Sequence, residues 1–213
     1  MRTYLSAIGF NSTSVTRPIL SHGVDTGDEV VLIRPNQVPD SRAEEAIEDV
    51  ERLLQEIEPE ISLTTEQISH GDFETALLES SDLIRAAEGD RIVSLGGGAR
   101  DVLLPFAIAA TTHVRLLDTV LFFSDLDGPV QEWSLPRLTA AIQETTAATL
   151  QMIVDTADGI SVPELTDRTG VSKSTVTRHV TALANKGAIE TWTDGKTKYA
   201  QATITGRLLL RDL

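Results

Sequence analysis

Apolar and polar residues alternate along the first two thirds of the chain in a way that predicts strands and helices in turn. Short apolar runs predict buried strands over residues 2–8, 29–34, 61–67, 91–95 and 120–124, with an edge strand over 130–133. Between these runs, apolar residues recur at helical spacing and predict helices over 14–21, 41–57, 73–87 and 101–112. Repeated strand–helix units are typical of an α/β fold with a Rossmann-like, doubly wound, mostly parallel sheet, here over residues 1–134.

The pattern changes at residue 135. Leu135, Leu138, Ile142, Leu150 and Ile153 fall on one helical face, which predicts a long connector helix over residues 135–157, able to pair with a copy of itself. A second domain is predicted over residues 158–213. It would contain a helix over 162–168, a turn at Gly170, a helix over 173–186, a hairpin around Asp194-Gly195 and a closing helix over 205–210.

The order of these last elements is that of a winged helix-turn-helix domain, which reads DNA with its second helix. Ser172 is a good N-cap for that helix, and Val176, Val180, Leu183 and Ala184 form its predicted buried stripe. The outward residues are small, hydroxylated or cationic, and with two lysines of the wing they give the predicted DNA-binding set: Ser172, Lys173, Ser174, Thr175, Arg178, Thr181, Lys196 and Lys198. The alternative is a winged helix used for protein contacts. For His179, a packed or exposed side chain is favoured over a phosphate contact.

Charge is distributed unevenly between the two predicted domains. The chain carries 18 basic and 32 acidic residues, a net charge of −14. Residues 1–137 hold 10 basic and 24 acidic residues, whereas 138–213 hold 8 of each and all four lysines. The first part should therefore not bind nucleic acid through its general surface, while the second can where its basic residues cluster. Many acids and few lysines also suit a salt-loving cytoplasm.

Several functional classes lack support in the sequence. There is no cysteine, and no apolar run approaches the ~20 residues of a membrane span, so we expect a soluble, cytoplasmic protein without a membrane partner. Neither a Gly-x-Ser-x-Gly elbow nor histidines at metal-ligand spacing occur, so no catalytic residue, cofactor or metal is predicted. Asp125 and Asp127 suggest a cation site, although a solvated turn is the favoured interpretation.

A glycine turn follows the fourth predicted strand and opens a helix. In Gly96-Gly97-Gly98-Ala99-Arg100, the glycines allow backbone amides to approach a ligand, and Arg100 with the helix N-terminus favours an anion. No Gly-Lys-Ser/Thr follows, so this is not a phosphate-binding loop of nucleotide hydrolases, and the spacing does not fit a dinucleotide fingerprint. A simple packing turn is the alternative.

A polar loop follows the first predicted strand. It reads Gly9-Phe10-Asn11-Ser12-Thr13-Ser14, with Arg17 one turn into the next helix. In a doubly wound sheet the loops after the first and fourth strands can line the same edge. Together they predict a site for a phosphodiester or another anion, formed by Gly9, Phe10, Asn11, Ser12, Thr13, Ser14, Arg17, Gly96, Gly97, Gly98, Ala99 and Arg100. Helix capping is the alternative role of the hydroxyl residues.

The polar loop with Arg17, the strand-ending Gly-Gly-Gly-Ala-Arg and the winged helix together resemble a known family. They are similar to archaeal CRISPR-associated regulators that join a CARF domain (CRISPR-associated Rossmann fold) to a winged helix. In that family the turn often reads as a Thr-Gly-Gly-Thr-Arg-like run. Here Gly97, Gly98 and Arg100 match, whereas Gly96 and Ala99 replace the hydroxyl residues.

The resemblance implies a homodimeric transcription regulator in antiviral defence. It would bind double-stranded operator DNA under allosteric control by a cyclic oligoadenylate, typically the tetra-adenylate, in a pocket across the two-fold axis. One alternative is a regulator of the same shape that senses another small anion or none. Another is a slow ring nuclease, in which Ser12, Thr13 and Arg100 would position a ribose 2′-hydroxyl for in-line attack.

Overall fold

The chain folds into two units with separate cores. The computed structural model describes residues 1–36, 40–124, 128–138 and 140–212. It divides the chain into Met1–Ser134 and Leu135–Leu213, which is where the predicted first domain ends.

Among the described residues of the first unit, six strands form one sheet in the order β3-β2-β1-β4-β5-β6. The first five strands are parallel and β6 is antiparallel to β5, which confirms the predicted Rossmann-like sheet. The strands are β1 (Arg2–Ala7), β2 (Glu29–Pro35), β3 (Ser62–Ile68), β4 (Asp90–Ser94), β5 (Thr119–Phe123) and β6 (Val130–Glu132). The intervening helices are α1 (Thr13–His22), α2 (Ser41–Ile57), α3 (Phe73–Ala86) and α4 (Arg100–Thr112).

The core of this unit follows from the apolar pattern. The central strands β1 and β2 are buried over most of their length, as strands covered on both faces must be. In α2 the buried residues Ala46, Val50 and Leu54 recur every four positions and pack with α1 on one face of the sheet. Helices α3 and α4 pack against each other, and α4 contacts β1 and β2. Both faces are thus covered, and the carboxyl ends of the strands meet at one edge.

The second unit is the predicted winged helix. Its helices are α5 (Glu144–Val154), α6 (Val162–Thr169), α7 (Lys173–Asn185) and α8 (Ile204–Leu209). Its strands are β7 (Ile160–Ser161), β8 (Ile189–Asp194) and β9 (Thr197–Ala202), paired antiparallel in the order β7-β9-β8. The core of this unit joins α5, α6, α7 and β9 through Leu150, Leu165, Val176, Leu183 and Ala200.

The predicted connector helix over 135–157 is wrong in its first half. Helix α5 begins only at Glu144, and the described residues between Leu135 and Gln143 form turns and other backbone that is neither helix nor strand. Pro136 has no N–H to donate and favours an extended preceding residue, so a helix through it is disfavoured. Ile142 packs against the winged-helix core, and Leu150 and Ile153 are buried in it. Helix α5 is therefore a core helix of the second unit rather than a free connector.

No helix among the described residues is both long and apolar enough to cross a bilayer.

Candidate functional site

The two predicted ligand loops meet at the centre of the sheet. Strands β1 and β4 are direct neighbours with Ser6 opposite Ser94, so the loops that follow them emerge side by side. A Cβ atom placed on Gly9 would lie 3.4 Å from the Cα atom of Gly98. The strand order reverses at this point, which is where ligands bind in doubly wound sheets.

Each glycine of the turn also fills a packing role. A Cβ at Gly97 would lie 2.2 Å from Ser14 Oγ, and one at Gly98, whose φ is +97°, would lie 2.7 Å from Ala7 Cβ. At Gly96 the added atom would lie 2.8 Å from Phe123 Cβ. A hydroxyl side chain at position 96 therefore has no room in this chain, which explains one departure from the resembling family in physical terms.

A cavity of about 410 Å³ opens at this junction. Its lining includes two thirds of the predicted set, namely Gly9, Phe10, Asn11, Ser14, Gly96, Gly97, Gly98 and Ala99. Asn11 is also a local cap, because its Oδ1 accepts a hydrogen bond of 2.9 Å from the Thr13 N–H. The Ser14 hydroxyl donates to the Asn11 carbonyl at 2.8 Å.

Four predicted ligand residues do not line this cavity. Ser12 faces the first turn of α1, where its carbonyl accepts the N–H groups of Val15 and Thr16, and Thr13 bonds Asn11. The Arg17 side chain extends toward the end of β5 instead. Its Nη1 lies 3.4 Å from the Gly128 carbonyl, and its guanidinium lies 5.8 Å from the Phe123 ring centroid. Arg100 is exposed in the first turn of α4.

The opposite wall of the cavity was not predicted from the sequence. It is formed by the ends of β1 and β2, the first turns of α2 and α4 and the loop after β3, through Ile8, Arg34, Pro35, Asp40, Ala43, Ile47, His70 and Asp101. Arg34 is largely buried and pairs with Glu44 at 2.7 Å. His70 Nδ1 lies 2.9 Å from Asn36 Oδ1. The position of β2 beside β1 is the signal that would have pointed to this wall.

An aromatic ring and an ion pair lie at the rim of the cavity. The Arg42 guanidinium lies 4.0 Å from the centroid of the Phe10 ring, and its Nε and Nη2 donate to the Asp40 carboxylate at 3.2 and 3.0 Å. These bonds from Arg42 lower the pKa of Asp40, which also caps α2 through the Arg42 N–H. The Phe10 ring is still 59% exposed, so one face is open to a ligand.

In the second unit, caps and a glycine position the recognition helix α7. Ser161 caps α6, Gly170 ends it with φ +68°, and Ser172 caps α7 by accepting the Thr175 N–H at 3.3 Å. The tight turn between the two helices is the one that helix-turn-helix domains use.

The outward face of α7 is close to the prediction. Val176, Val180 and Leu183 are buried, and the predicted contacts Ser172, Lys173, Ser174, Arg178 and Thr181 are exposed, with Thr175 half-buried. Thr177 is exposed as well and was missed. Its hydroxyl donates to the Lys173 carbonyl at 2.8 Å, which leaves the oxygen free to accept.

The wing is a two-stranded ribbon with exposed lysines. In the β8–β9 hairpin, Trp192 stacks on Tyr199 with ring centroids 5.5 Å apart. Lys196 and Lys198 are exposed near its tip. The wing therefore presents cations to the solvent from a rigid base.

His179 is packed rather than directed at a phosphate. Its Nδ1 lies 2.8 Å from Thr149 Oγ1 of α5. Burial, with the nearby Arg178 charge, lowers the pKa of His179, so its neutral form is favoured. The favoured interpretation of this residue as a structural histidine fits this environment.

The segment that enters the second unit is hydrogen-bonded to the end of α7 and to the first turn of α8. The Arg137 N–H donates to Thr205 Oγ1 at 2.9 Å, and Lys186 Nζ donates to the Ala141 carbonyl. Gly187 has φ +71°, and a Cβ there would lie 2.6 Å from Arg137 Cδ. We call these five residues the linker clamp.

The acidic pair considered as a cation site, Asp125 and Asp127, lies outside the described residues. Within the described ranges, no group of three or more His, Asp or Glu side chains is arranged to hold a metal ion.

Comparison with solved structures finds MarR-type regulators. The similar structures include the MepR–DNA complex of S. aureus (20% identity, TM-score 0.32), MarR (25%, 0.31) and HlyU from Vibrio cholerae N16961 (24%, 0.31). The matches cover 33%, 33% and 35% of this chain and 60%, 53% and 79% of those proteins. The chain thus spans little more than half the length of the first two. No curated protein matches the chain.

Two family models match the chain, one in each unit. The model of the Csa3 CRISPR-associated Rossmann-like domain matches residues 2–122, and that of the MarR family matches residues 142–196. The first match alone covers more than half of the chain and includes both ligand loops. The chain therefore belongs to the Csa3 family of CRISPR-associated proteins, with an N-terminal Rossmann-like domain and a C-terminal MarR-family winged helix.

Proposed function

We propose that this chain is a homodimeric transcription regulator of a CRISPR system that binds operator DNA and responds to a cyclic oligoadenylate, the tetra-adenylate. The observation that carries the effector assignment is the cavity at the carboxyl ends of β1 and β4. Glycine backbone forms one wall of it, and an exposed aromatic ring lies at its rim.

The chemistry of the cavity suits a nucleotide. The amides of the glycine turn and the first turn of α4 favour a phosphate, as helix N-termini generally do. The Ile8 and Ile47 side chains provide apolar surface, and the open face of Phe10 can stack on a base. Base stacking on an aromatic ring contributes about 1–3 kcal/mol. An exposed cation–π contact contributes about 0.5–1 kcal/mol, so a base can displace Arg42 from the ring.

The size of the cavity supports a shared ligand. A cavity of about 410 Å³ is too small for a ring of four nucleotides. A symmetric ring can instead be divided between two identical cavities across a two-fold axis, the commonest symmetry of soluble oligomers. One ligand for two chains is therefore the expected stoichiometry.

DNA reading belongs to α7 and the wing. Two copies of α7 would enter successive major grooves, so half-sites about 34 Å apart are expected in a palindromic operator. Arg178 lies on the exposed face of α7, where it can contact a base edge or a phosphate.

Coupling between effector and DNA would pass through the linker clamp. The chain enters the second unit at Leu135, and the clamp joins this entry segment to the C-terminal end of α7 through Lys186 and to α8 through Thr205. A displacement of the entry segment would therefore move the recognition helix. Allosteric coupling of this kind is typically worth about 1–3 kcal/mol.

Calorimetry with cyclic tetra-adenylate tests the proposal. The titration is done in high potassium chloride, with cyclic hexa-adenylate, AMP and ribose 5-phosphate as comparison ligands. We expect saturation at one tetra-adenylate per two chains. Saturation at one per chain would contradict the shared pocket, and tight binding of another ligand alone would replace the effector.

A matched pair of phenylalanine variants tests the position of the site. Phe10→Ala should weaken tetra-adenylate binding by about 5- to 150-fold, the equivalent of one lost stacking interaction. Phe73→Ala is the control, because Phe73 is 55% exposed, close to the 59% of Phe10, and lies outside the cavity lining. Equal affinities of the two variants would remove Phe10 from the site.

A further inference from the structure

Three of the four lysines of the chain surround one small cavity in the second unit. The cavity, of about 230 Å³, has Lys173 and Thr177 of α7 on one side and Lys196 and Lys198 of the wing on the other. The start of α6 contributes Val162 and Pro163. We call Lys173, Lys196 and Lys198 the lysine niche.

The niche has positive charge without a partner in the described part of the chain. No carboxylate lines the cavity, and none of the described carboxylates pairs with the three ammonium groups. The nearby Arg168 differs, because it pairs with Glu164 at 2.6 Å. In a chain with 32 acidic and 18 basic residues, such a concentration of unpaired cations is unusual. Like charges repel, so an anion from outside would relieve the repulsion.

The side-chain type indicates which anion fits. An ammonium group is a compact charge that can approach a phosphate from any direction, whereas planar, two-pronged reading of a base edge is the property of arginine. Three ammonium groups from two different elements can share the oxygen atoms of one phosphate. They are less suited to reading one base.

We propose that the lysine niche holds a single backbone phosphate of the bound DNA, gripped by α7 on one side and the wing on the other. The inference rests on the proposed DNA-binding function and deepens it, because it assigns three lysines to one phosphate rather than to three. The phosphate then fixes the wing relative to the recognition helix.

The number of phosphates can be counted from salt dependence. The slope of log affinity against log salt changes by about 0.9 for each phosphate that a protein neutralises. The dimer carries two niches, so for a variant with Lys173→Ala, Lys196→Ala and Lys198→Ala together we expect the slope to become shallower by about 1.8 on a duplex titrated from 50 to 300 mM potassium chloride. A change of about 5.4 would mean three separate phosphates for each chain and would overturn the proposal.

Two comparisons sharpen this experiment. Any single lysine variant should change the slope by much less than about 1.8, because the two remaining lysines of each chain still hold the phosphate. Arg168→Ala removes the same charge, but from an ion pair, and should leave the slope unchanged. The loss in affinity should be equal on two duplexes of unrelated sequence, since a phosphate contact carries no sequence information. A loss confined to one sequence would assign the lysines to base reading.

A second measurement does not depend on DNA binding. Thermal unfolding of the second unit is followed by Trp192 fluorescence, in a Trp133→Phe background, in potassium phosphate and in potassium chloride at equal ionic strength and pH. Inorganic phosphate should raise the Tm of the unaltered chain more than that of the triple variant, because a ligand of the folded state stabilises it. Equal shifts would overturn the niche. If the unaltered chain binds no duplex, the proposed function fails, and this measurement still decides whether the niche holds phosphate.

Discussion

At the scale of single residues, Gly97 shows how a candidate ligand turn can be fixed by packing. Its missing side chain allows the turn to lie against Ser14, whose Oγ and Cβ would lie 2.2 and 2.7 Å from an added Cβ. Gly97→Ala should therefore lower the free energy of unfolding of the first unit by about 1–3 kcal/mol, the usual cost of overpacking. Urea unfolding followed by Trp133 fluorescence measures this change.

Gly71→Ala is the matched control for Gly97→Ala. No atom lies within 4 Å of a Cβ added at Gly71, so its effect should stay within about 0.5 kcal/mol. If Gly97→Ala unfolds at the same urea concentration as the unaltered chain but binds ligand more weakly, the glycine serves the ligand rather than the packing.

His179 gives the second unit a dependence on pH. Burial lowers the pKa of His179 below its usual 6.5, so the unfolded chain takes up a proton more readily than the folded one. Its contribution to stability is present above pH 6.5 and is lost as pH falls through the lower pKa of the folded state. Between pH 7.5 and 5.5 we therefore expect a fall in stability, measured by urea unfolding with Trp192 fluorescence.

Two histidine variants test whether His179 causes this pH dependence of stability. His179→Gln should flatten it, because Gln does not titrate and can still hydrogen-bond Thr149. His113→Gln should not, since His113 lies in the first unit beside Ser81. The same pH slope in all three proteins would assign the effect to other groups.

The predicted ligand residues show what sequence proximity can and cannot give. Residues such as Phe10 and Gly97 line the cavity because parallel strands place their following loops at one edge, a rule that needs no coordinates. Arg17 follows directly in the chain but is turned away by the helix. Arg34 and Asp40 enter the cavity only through the packing of β2 and α2, which no local pattern encodes.

At the scale of elements, the hydrophobic pattern predicts a strand or helix correctly where one face of that element packs against a single core. The strands and helices of the first unit lie within a residue or two of the predicted bounds, because buried strands and amphipathic helices have distinct periods. The segment after Leu135 has helical spacing too, yet Ile142 packs against the core from backbone that lies outside any helix. Spacing alone does not distinguish a long helix from a non-helical segment followed by a shorter helix.

The linker clamp leads to a prediction about coupling. Thr205→Val removes the acceptor of the Arg137 N–H, a hydrogen bond of the kind worth about 0.5–1.5 kcal/mol. It should loosen the entry segment from α8 and so weaken the linker clamp. The change in operator affinity caused by tetra-adenylate should shrink. Operator affinity without ligand and ligand affinity without DNA should stay the same, since Thr205 lies in neither binding surface. Operator titrations with and without ligand, together with calorimetry, measure the three quantities.

Thr166→Val controls for the loss of a threonine hydroxyl. Within the described part of the chain, the Thr166 hydroxyl bonds only the Val162 carbonyl of its own helix, so coupling should be unchanged. Full coupling in Thr205→Val would show that the signal does not pass through the clamp.

At the scale of the whole molecule, charge divides the chain as the two units do. The excess of acids, 24 against 9 basic residues over 1–134, opposes folding of the first unit by self-repulsion. Residues 135–213, with 8 acidic and 9 basic residues, carry no such excess. Each unit has its own core, so each can unfold in its own transition. Salt should therefore act on one transition more than on the other.

The two tryptophans allow the effect of salt on unfolding to be measured separately in each unit. Trp133 stacks on Phe122 in the first unit, and Trp192 stacks on Tyr199 in the second. Trp192→Phe leaves a reporter of the first unit, and Trp133→Phe leaves one of the second. At 1 M salt the Debye length falls to about 3 Å, so repulsion between surface acids is screened.

Raising potassium chloride from 0.1 to 2 M should therefore raise the Tm reported by Trp133 well above any change reported by Trp192. Each kcal/mol of relieved repulsion should raise the Tm of the first unit by roughly 3–5 °C. Equal shifts of the two transitions would mean that the salt acts through general exclusion from protein surfaces, which strengthens burial in both cores alike. DNA affinity should fall over the same range, because the release of counterions from the DNA, which favours binding, gains less free energy as the bulk salt concentration rises. The salt that stabilises the first unit would then weaken operator binding by the second unit. A working regulator therefore needs a salt concentration at which the first unit is folded and the second unit still binds DNA.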